Sequence, residues 1–250
     1  MMFTKQVRPL IIDQVKQLII LNDSVITADV KYSTSIKQWL SPIIDLSDFY
    51  VYPINGITEG LNYWMGRETR SIIRSNGDYE WVDQTSGSGV IRYISCPSSI
   101  DGNYTTIPTD VSVALDIAYV GTTQIKPIQI TPNIEFVFYS LSKPFGLKNI
   151  RTGWMFTRKR DIKLHKLHYG ANYYNYYAHS ISETILKSFP VDYIHNKFWK
   201  VQHDVCKFHQ ISPSDSVWLA TSSNDKYKKF RRNNTEIARM CITEYINEIC

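Results

Sequence analysis

Tyr139-Ser140-Leu141-Ser142-Lys143-Pro144-Phe145-Gly146-Leu147-Lys148-Asn149-Ile150-Arg151-Thr152-Gly153-Trp154 joins two apolar runs through a polar turn. The run before it, Glu135-Phe136-Val137-Phe138-Tyr139-Ser140, and the one after it, Gly153-Trp154-Met155-Phe156, have the composition of buried strands. Lys143 follows directly from the first, an unusual place for a solvated lysine. A partly desolvated lysine has a lowered pKa and forms a Schiff base with a carbonyl. Arg151 lies eight positions on, past a Pro/Gly turn able to fold it back beside Ser140. An arginine with a hydroxyl suits a phosphate.

Working outward, further strand-like runs are Phe49–Ile54, Ser71–Arg74, Val90–Ser95 and Val111–Leu115. Most are continuously apolar rather than alternating, which suits a sheet buried on both faces, as in α/β proteins. The expected fold is therefore α/β: a three-layer α/β/α large domain with a mostly parallel sheet, plus a small α+β C-terminal domain. Helices are expected over residues 8–21 and 33–44, the second capped at Ser33-Thr34-Ser35, and the pattern is helical from about 159 to 209. Val217-Trp218-Leu219-Ala220 and Ile237–Ile242 are expected strands of the tail. This divides the chain into an N-terminal helical segment (1–44), a large domain (45–195) and a small one (196–250).

Two more polar segments stand at predicted strand ends, where open α/β sheets bind ligands. Asn55-Gly56-Ile57-Thr58-Glu59-Gly60 separates a strand from a helix. Free backbone N–H groups and the helix dipole make such a turn an anion site, with Gly56 allowing close approach and Thr58 adding a hydroxyl. In Leu115-Asp116-Ile117-Ala118-Tyr119 a carboxylate ends an apolar strand, which is costly unless it meets a cation or a donor. Lysine, carboxylate and phosphate site together call for an aldehyde bearing a phosphate and a basic ring nitrogen, which describes pyridoxal phosphate.

Composition excludes several classes. The chain has 250 residues, 43% hydrophobic, with a formal net charge of +5. That is ordinary globular usage, long enough to bury roughly three quarters of its unfolded surface. No stretch reaches the roughly 18–20 apolar residues of a membrane span, and the interrupted run Leu10–Leu21 lacks the form of a secretory leader. A cytoplasmic protein without membrane contact is expected. Four scattered cysteines make no disulfide scaffold. His203, Cys206 and His209 diverge around a helix, so no metal site is expected. The basic run Lys226-Tyr227-Lys228-Lys229-Phe230-Arg231-Arg232 is taken as a solvated face rather than a nucleic-acid site.

Ser140-Leu141-Ser142-Lys143-Pro144-Phe145-Gly146 with Arg151-Thr152-Gly153-Trp154 closely resembles the lysine motif of fold-type I pyridoxal-phosphate enzymes, the class I/II aminotransferases. Asn55–Gly60 resembles their phosphate turn, and Asp116 with Tyr119 their ring-contacting pair, in the same order. The resemblance implies that Lys143 forms the Schiff base and shuttles a proton. It implies that Asp116 keeps the ring nitrogen protonated and that Tyr119 bonds the ring hydroxyl. Ser140, Arg151, Thr58 and the backbone of Gly56 and Ile57 would hold the phosphate. Tyr79 would stack on the ring, with Trp81 as the fallback. Ala238–Thr243 is similar to the family's Arg-bearing strand, which implies that Arg239 grips the substrate α-carboxylate.

The chain also departs from the family. Cys96-Pro97-Ser98-Ser99-Ile100-Asp101-Gly102 resembles the Asn-Pro-x-Asn-Pro-x-Gly loop without its asparagines, so that Ser99 stands where an asparagine contacts the ring hydroxyl. Usual members are longer, and the segment before Cys96 and the C-terminal domain are abbreviated. The implied activity is transfer of an amino group between an amino acid and a 2-oxo acid. The alternatives are a lyase, decarboxylase or racemase using the same cofactor, or a non-catalytic protein of this fold. A homodimer is implied as well, with Tyr173-Tyr174-Asn175-Tyr176-Tyr177 as interface or buried helix face and Tyr32 as a candidate for reaching a neighbouring site.

Overall fold

The computed structural model describes residues 9–13, 28–171, 173–232 and 235–249, and of 28–33 and 247–249 the backbone alone. The apolar runs form one six-stranded sheet. Its strands β1 (Tyr50–Ile54), β2 (Ser71–Arg74), β3 (Val90–Ser95), β4 (Ser112–Asp116), β5 (Ile134–Tyr139) and β6 (Gly153–Thr157) lie in the order β1-β6-β5-β4-β3-β2. β2 to β5 pair in parallel, and β6 runs antiparallel to both β5 and β1. Five strands therefore share one direction. Pro53, which cannot donate to a ladder, sits in edge strand β1.

Alternate residues of the strands pack to opposite faces, as the pleat requires. Val113, Leu115, Val137, Tyr139 and Phe156 pack with Trp39 and Leu40 of α1 (Ala28–Leu40). The same layer takes Ile181 and Ile185 of the later helix Tyr176–Ser188. Tyr93, Ala114, Phe138 and Met155 pack on the other face, with Ile57, Leu61 and Trp64 of α2 (Ile57–Met65). Both faces are covered, giving the expected three-layer α/β class with a mostly parallel sheet. The crossovers from β2 through β5, residues 75–89, 96–111 and 117–133, carry no α-helix, although parallel connections usually contain one.

Several boundaries differ from the sequence expectations. α1 covers residues 28–40 instead of 33–44, so Ser33-Thr34-Ser35 lie within it. It ends ahead of Ser41-Pro42, because a residue preceding proline is pushed out of the helical region. Of the helix expected over 8–21, residues 9–13 are helical and the rest falls outside the described residues. The long helical region is broken into α3 (Ile162–His165), which continues through a π turn to Gly170, then α4 (Tyr176–Ser188) and α5 (Tyr193–His209). Asn175 caps α4 by accepting from Ala178 N, and Pro190 separates α4 from α5.

A second sheet, β7-β8-β9, follows from Ser212–Pro213, Leu219–Ser222 and Ala238–Cys241, with a 3-10 turn at Asp225–Phe230 and α6 at Thr243–Ile249. Val217 and Trp218, expected in a strand, precede β8 and join the core cluster of the large sheet instead. Val217 N donates to Thr122 O at 2.9 Å, and the buried Gln202 amide donates to the carbonyls of Ser214, Ser216 and Leu219. Among the described residues no helix is long and apolar enough to cross a membrane, and no group of three His, Cys, Asp or Glu is placed to hold a metal.

Candidate active site

The carboxyl ends of β1, β3, β4 and β5 open onto one cavity of about 240 Å³. Lining it are Ile57, Thr58, Tyr79, Ser99, Asp116, Tyr119, Ser140, Lys143, Arg151 and Arg239. Each was singled out from the sequence, although they come from segments up to 182 positions apart.

Asp116, the last residue of β4, is 4% exposed. Its carboxylate accepts from Tyr93 Oη at 2.7 Å and from Ala118 N at 2.8 Å. Burial pushes its pKa up to about 6, against the hydrogen bonds from Tyr93 and Ala118, which lower it. Nearby Asp78 adds to the rise and Lys143 opposes it. A buried carboxylate with two donors and a raised pKa is prepared for a further cationic partner.

Lys143 stands in the turn after β5, and its carbonyl is fixed by Trp218 Nε1 at 3.0 Å. Its Nζ lies 5.4 Å from the centre of the Tyr119 ring. Tyr119 Oη accepts from Arg239 Nη1 at 3.2 Å, and the same nitrogen donates to Ser99 O at 2.8 Å. Arg239 therefore reaches the cavity from strand β9 of the second sheet.

At the β1–α2 turn, Gly56 has φ +82°, a conformation that side chains rarely adopt. The Arg151 guanidinium occupies the space there: a Cβ on Gly56 would lie 2.6 Å from Arg151 Nη2. Arg151 itself is left-handed, with φ 59°, costly backbone of the kind concentrated at functional sites. The sequence placed Arg151 beside Ser140; both line the cavity, while the guanidinium packs on Gly56 instead. No side chain caps the N-terminus of α2, because its N-cap is Gly56, and Glu59 in the first turn accepts from Asn55 N at 2.6 Å instead. The helix end thus keeps free donors beside an arginine, the arrangement of an anion site.

Of the two candidate stacking rings, Tyr79 lines the cavity. Trp81 is 50% exposed and donates to Asn62. Ser99 lines the cavity, yet its hydroxyl donates to Asp78 Oδ1 at 2.6 Å, leaving it only acceptor capacity toward a ligand. Asp78 escaped notice in the sequence. It is 4% exposed and also accepts from Ser95 Oγ at 2.6 Å and Ser95 N at 3.3 Å. Arg232, set aside with a basic surface run, lines the cavity too. Neither carried a local signal, since a polar turn and a charge run are ordinary surface patterns.

The residues present fit a ligand with an anionic group at the Gly56–Arg151 turn, a cationic group at Asp116 and a carbonyl at Lys143. Neither a protein-family model nor a curated protein matches this sequence. Solved structures do match its fold. The histidinol-phosphate aminotransferase from Clostridium acetobutylicum aligns with a TM-score of 0.68 at 13% identity, over 96% of this chain and 93% of that one. Tyrosine aminotransferase from Leishmania infantum gives 0.68 at 10%, over 99% and 89%. L-threonine-O-3-phosphate decarboxylase from Porphyromonas gingivalis gives 0.65 at 12%, over 99% and 97%. The chain thus has the fold of the fold-type I pyridoxal-phosphate-dependent enzymes to which the class I/II aminotransferases belong.

Proposed function

We propose that this cavity binds pyridoxal phosphate and that the protein is an aminotransferase, moving an amino group between an amino acid and a 2-oxo acid. The observation that carries this is the convergence of Lys143, Asp116 and Arg151, from separate strand ends, on one cavity. When bound, the cofactor supplies an electron sink for the charge left when an amino acid loses its α-proton.

The chain's own residues supply the rest. Arg151, Thr58, Ser140 and the Ile57 N–H would hold the phosphate, as charge and helix end together favour, while the Gly56 N–H expected there donates to Ile54 O at 2.9 Å. Asp116 would hold a proton on the ring nitrogen, because a cation there relieves its buried charge. Lys143 Nζ is the amine that would hold the aldehyde and the base that would move the α-proton. Tyr79 would cover the ring, and Tyr119 and Ser99 would face its hydroxyl. Arg239 would grip the α-carboxylate with its planar fork. Retaining that grip favours transamination over decarboxylation, which must release the carboxylate.

The homodimer belongs to the same reading. Tyr173 and Tyr177 are 69% and 59% exposed, so half of the aromatic run is not a buried helix face and suits an interface with a second copy. Tyr32 lies outside the described side chains.

The visible absorbance of purified protein, beside Lys143→Ala, before and after adding amino acids, tests the reading. A band present only in the wild type and bleached by an amino acid supports cofactor, lysine and half-reaction together. A band that survives every amino acid points to another reaction of the cofactor, and no band after adding cofactor overturns the proposal. The Lys143→Ala variant should lose turnover by about 10,000-fold, since it removes both amine and base.

A further inference from the structure

Among the described residues five cationic side chains line the cavity, Lys143, Lys148, Arg151, Arg232 and Arg239, against a single lining carboxylate, Asp116. The proposed function uses Lys143 for the aldehyde, Arg151 for the phosphate and Arg239 for the α-carboxylate. Lys148 stays on the phosphate side, where its carbonyl accepts from Arg151 Nη1 at 3.5 Å. Arg232 is left over, and it sits on the opposite side, with Arg239.

The two arginines converge on one atom. Ser99 O accepts from Arg239 Nη1 at 2.8 Å and from Arg232 Nη1 at 3.4 Å. Among the described residues neither forms an ion pair, although other arginines of the chain do. Burial and the neighbouring Arg239 hold the Arg232 guanidinium below its ordinary pKa, the mark of like charges gathered in a partly desolvated place. Asp78 and Glu80 lie near enough to offset this in part. Two guanidinium forks at one carbonyl repel each other until anions come between them, and each fork matches the paired oxygens of a carboxylate or phosphate.

We infer that Arg232 is the subsite for a second anionic group on the substrate, so that the amino acid handled here is one with a short side chain ending in a carboxylate or a phosphate. The inference rests on the proposed function, because it takes Arg239 as the grip on the α-carboxylate. Sharing Ser99 O keeps the two guanidiniums close, which sets the short distance between the anionic groups. Placed this way, Arg232 discriminates by charge: a neutral side chain leaves a half-buried cation without an anion, whereas an anionic one neutralises it.

The test uses the cofactor-loaded protein and reads binding from the change of its visible band. Titrations pair aspartate with asparagine, glutamate with glutamine, and O-phosphoserine with serine. The inference expects at least one anionic member to bind about tenfold or more tightly than its neutral partner. Which pair shows the larger difference separates carboxylate from phosphate. In Arg232→Gln that preference should vanish while affinity for the neutral member changes less than about twofold; Arg232→Lys, which keeps charge without the fork, should retain part of it. Succinate, which cannot react, should raise the melting temperature of the loaded wild type and not of Arg232→Gln. An intact band in each variant shows that it folds. Equal binding of both members by the wild type, or an undiminished preference in Arg232→Gln, overturns this inference and leaves the proposed function standing. Failure of the wild type to bind cofactor overturns both.

Discussion

Two cavities flank the β1–α2 turn, and they differ in charge more than in size. The larger, about 470 Å³, lies on the Asn55 side and is lined by Pro53, Glu59, Tyr63, Leu167, His168 and Tyr173 among others. The smaller, about 240 Å³, lies on the Thr58 side and holds five cations and a buried carboxylate. One turn separates them, yet only the smaller gathers strand ends. Its polar groups issue from β1, β3, β4 and β5, so the parallel topology itself brings them together. The larger is walled by β1, β6, α2 and the α3–α4 segment, and two of its polar side chains are already engaged: Glu59 holds the Asn55 turn, and Tyr63 Oη donates to Asp161 Oδ2 at 2.9 Å. Volume does not select a site; unpaired chemistry at converging elements does.

Substitutions at Asp116 test that difference most severely. Asp116→Asn should keep the packing and bind cofactor, yet lower turnover by about 100- to 1000-fold, because the charge facing the ring nitrogen is gone. Unchanged rates would place the chemistry elsewhere. The same residue should set a pH dependence of stability in the cofactor-free protein. Its folded pKa of about 6 lies above the ordinary 3.8. The neutral carboxyl therefore stabilises the fold below pH 4, and that contribution, about 3 kcal/mol, is lost as pH rises through 6. Denaturant melts at pH 4 and pH 7 should show the difference in wild type and not in Asp116→Asn.

Gly56 separates the two cavities, and Gly56→Ala should disturb only the smaller. Its φ of +82° strains any side chain, and the added Cβ meets Arg151 Nη2 at 2.6 Å. A stability loss of about 1–3 kcal/mol is expected from the backbone. Displacing the guanidinium should also weaken cofactor binding about tenfold. Calorimetric titration of the cofactor checks the second effect apart from the first. Full affinity in a destabilised variant would remove Arg151 from the phosphate site.

The same contrast explains what the sequence could disclose. Lys143 was legible because it follows a long apolar run, where a charge is costly, whereas Asp116 taken alone reads equally as a helix cap and became legible through the order it shares with the lysine motif and the phosphate turn. Gly56 and Thr58 were legible from a polar turn between strand and helix. Asp78 was not: Gly77-Asp78-Tyr79 has ordinary turn composition, and its burial is created by Ser95 and Ser99, contacts 17 and 21 positions away. Arg232 was hidden differently, at the end of a basic run whose lysines, Lys226, Lys228 and Lys229, face solvent in a 3-10 turn and whose Arg231 pairs with Asp225. Sheet content followed from composition, because β1, β4, β5 and β6 are apolar runs buried along most of their length. Helix limits followed less well, since the ends of α1 and α4 are set by Pro42 and Asn175 rather than by apolar period.

The smallest expected effect sharpens the comparison from the other side. Tyr63 lines the larger cavity, and burial pushes its pKa up to about 12, so it is a neutral hydroxyl throughout the working range. Tyr63→Phe removes the bond to Asp161 and the one the hydroxyl accepts from Arg67 Nη1, while Arg67 keeps its ion pair with Asp161. Asp161 keeps its other duty, accepting from Lys163 N and Leu164 N at the start of α3. The loss should therefore be about 1–2 kcal/mol of stability, the net worth of two hydrogen bonds. Cofactor affinity and the preference between anionic and neutral amino acids should not move, because nothing at Tyr63 faces the cations. Were affinity to fall as far as stability, the two cavities would be coupled through α2, and the division drawn at Gly56 would fail.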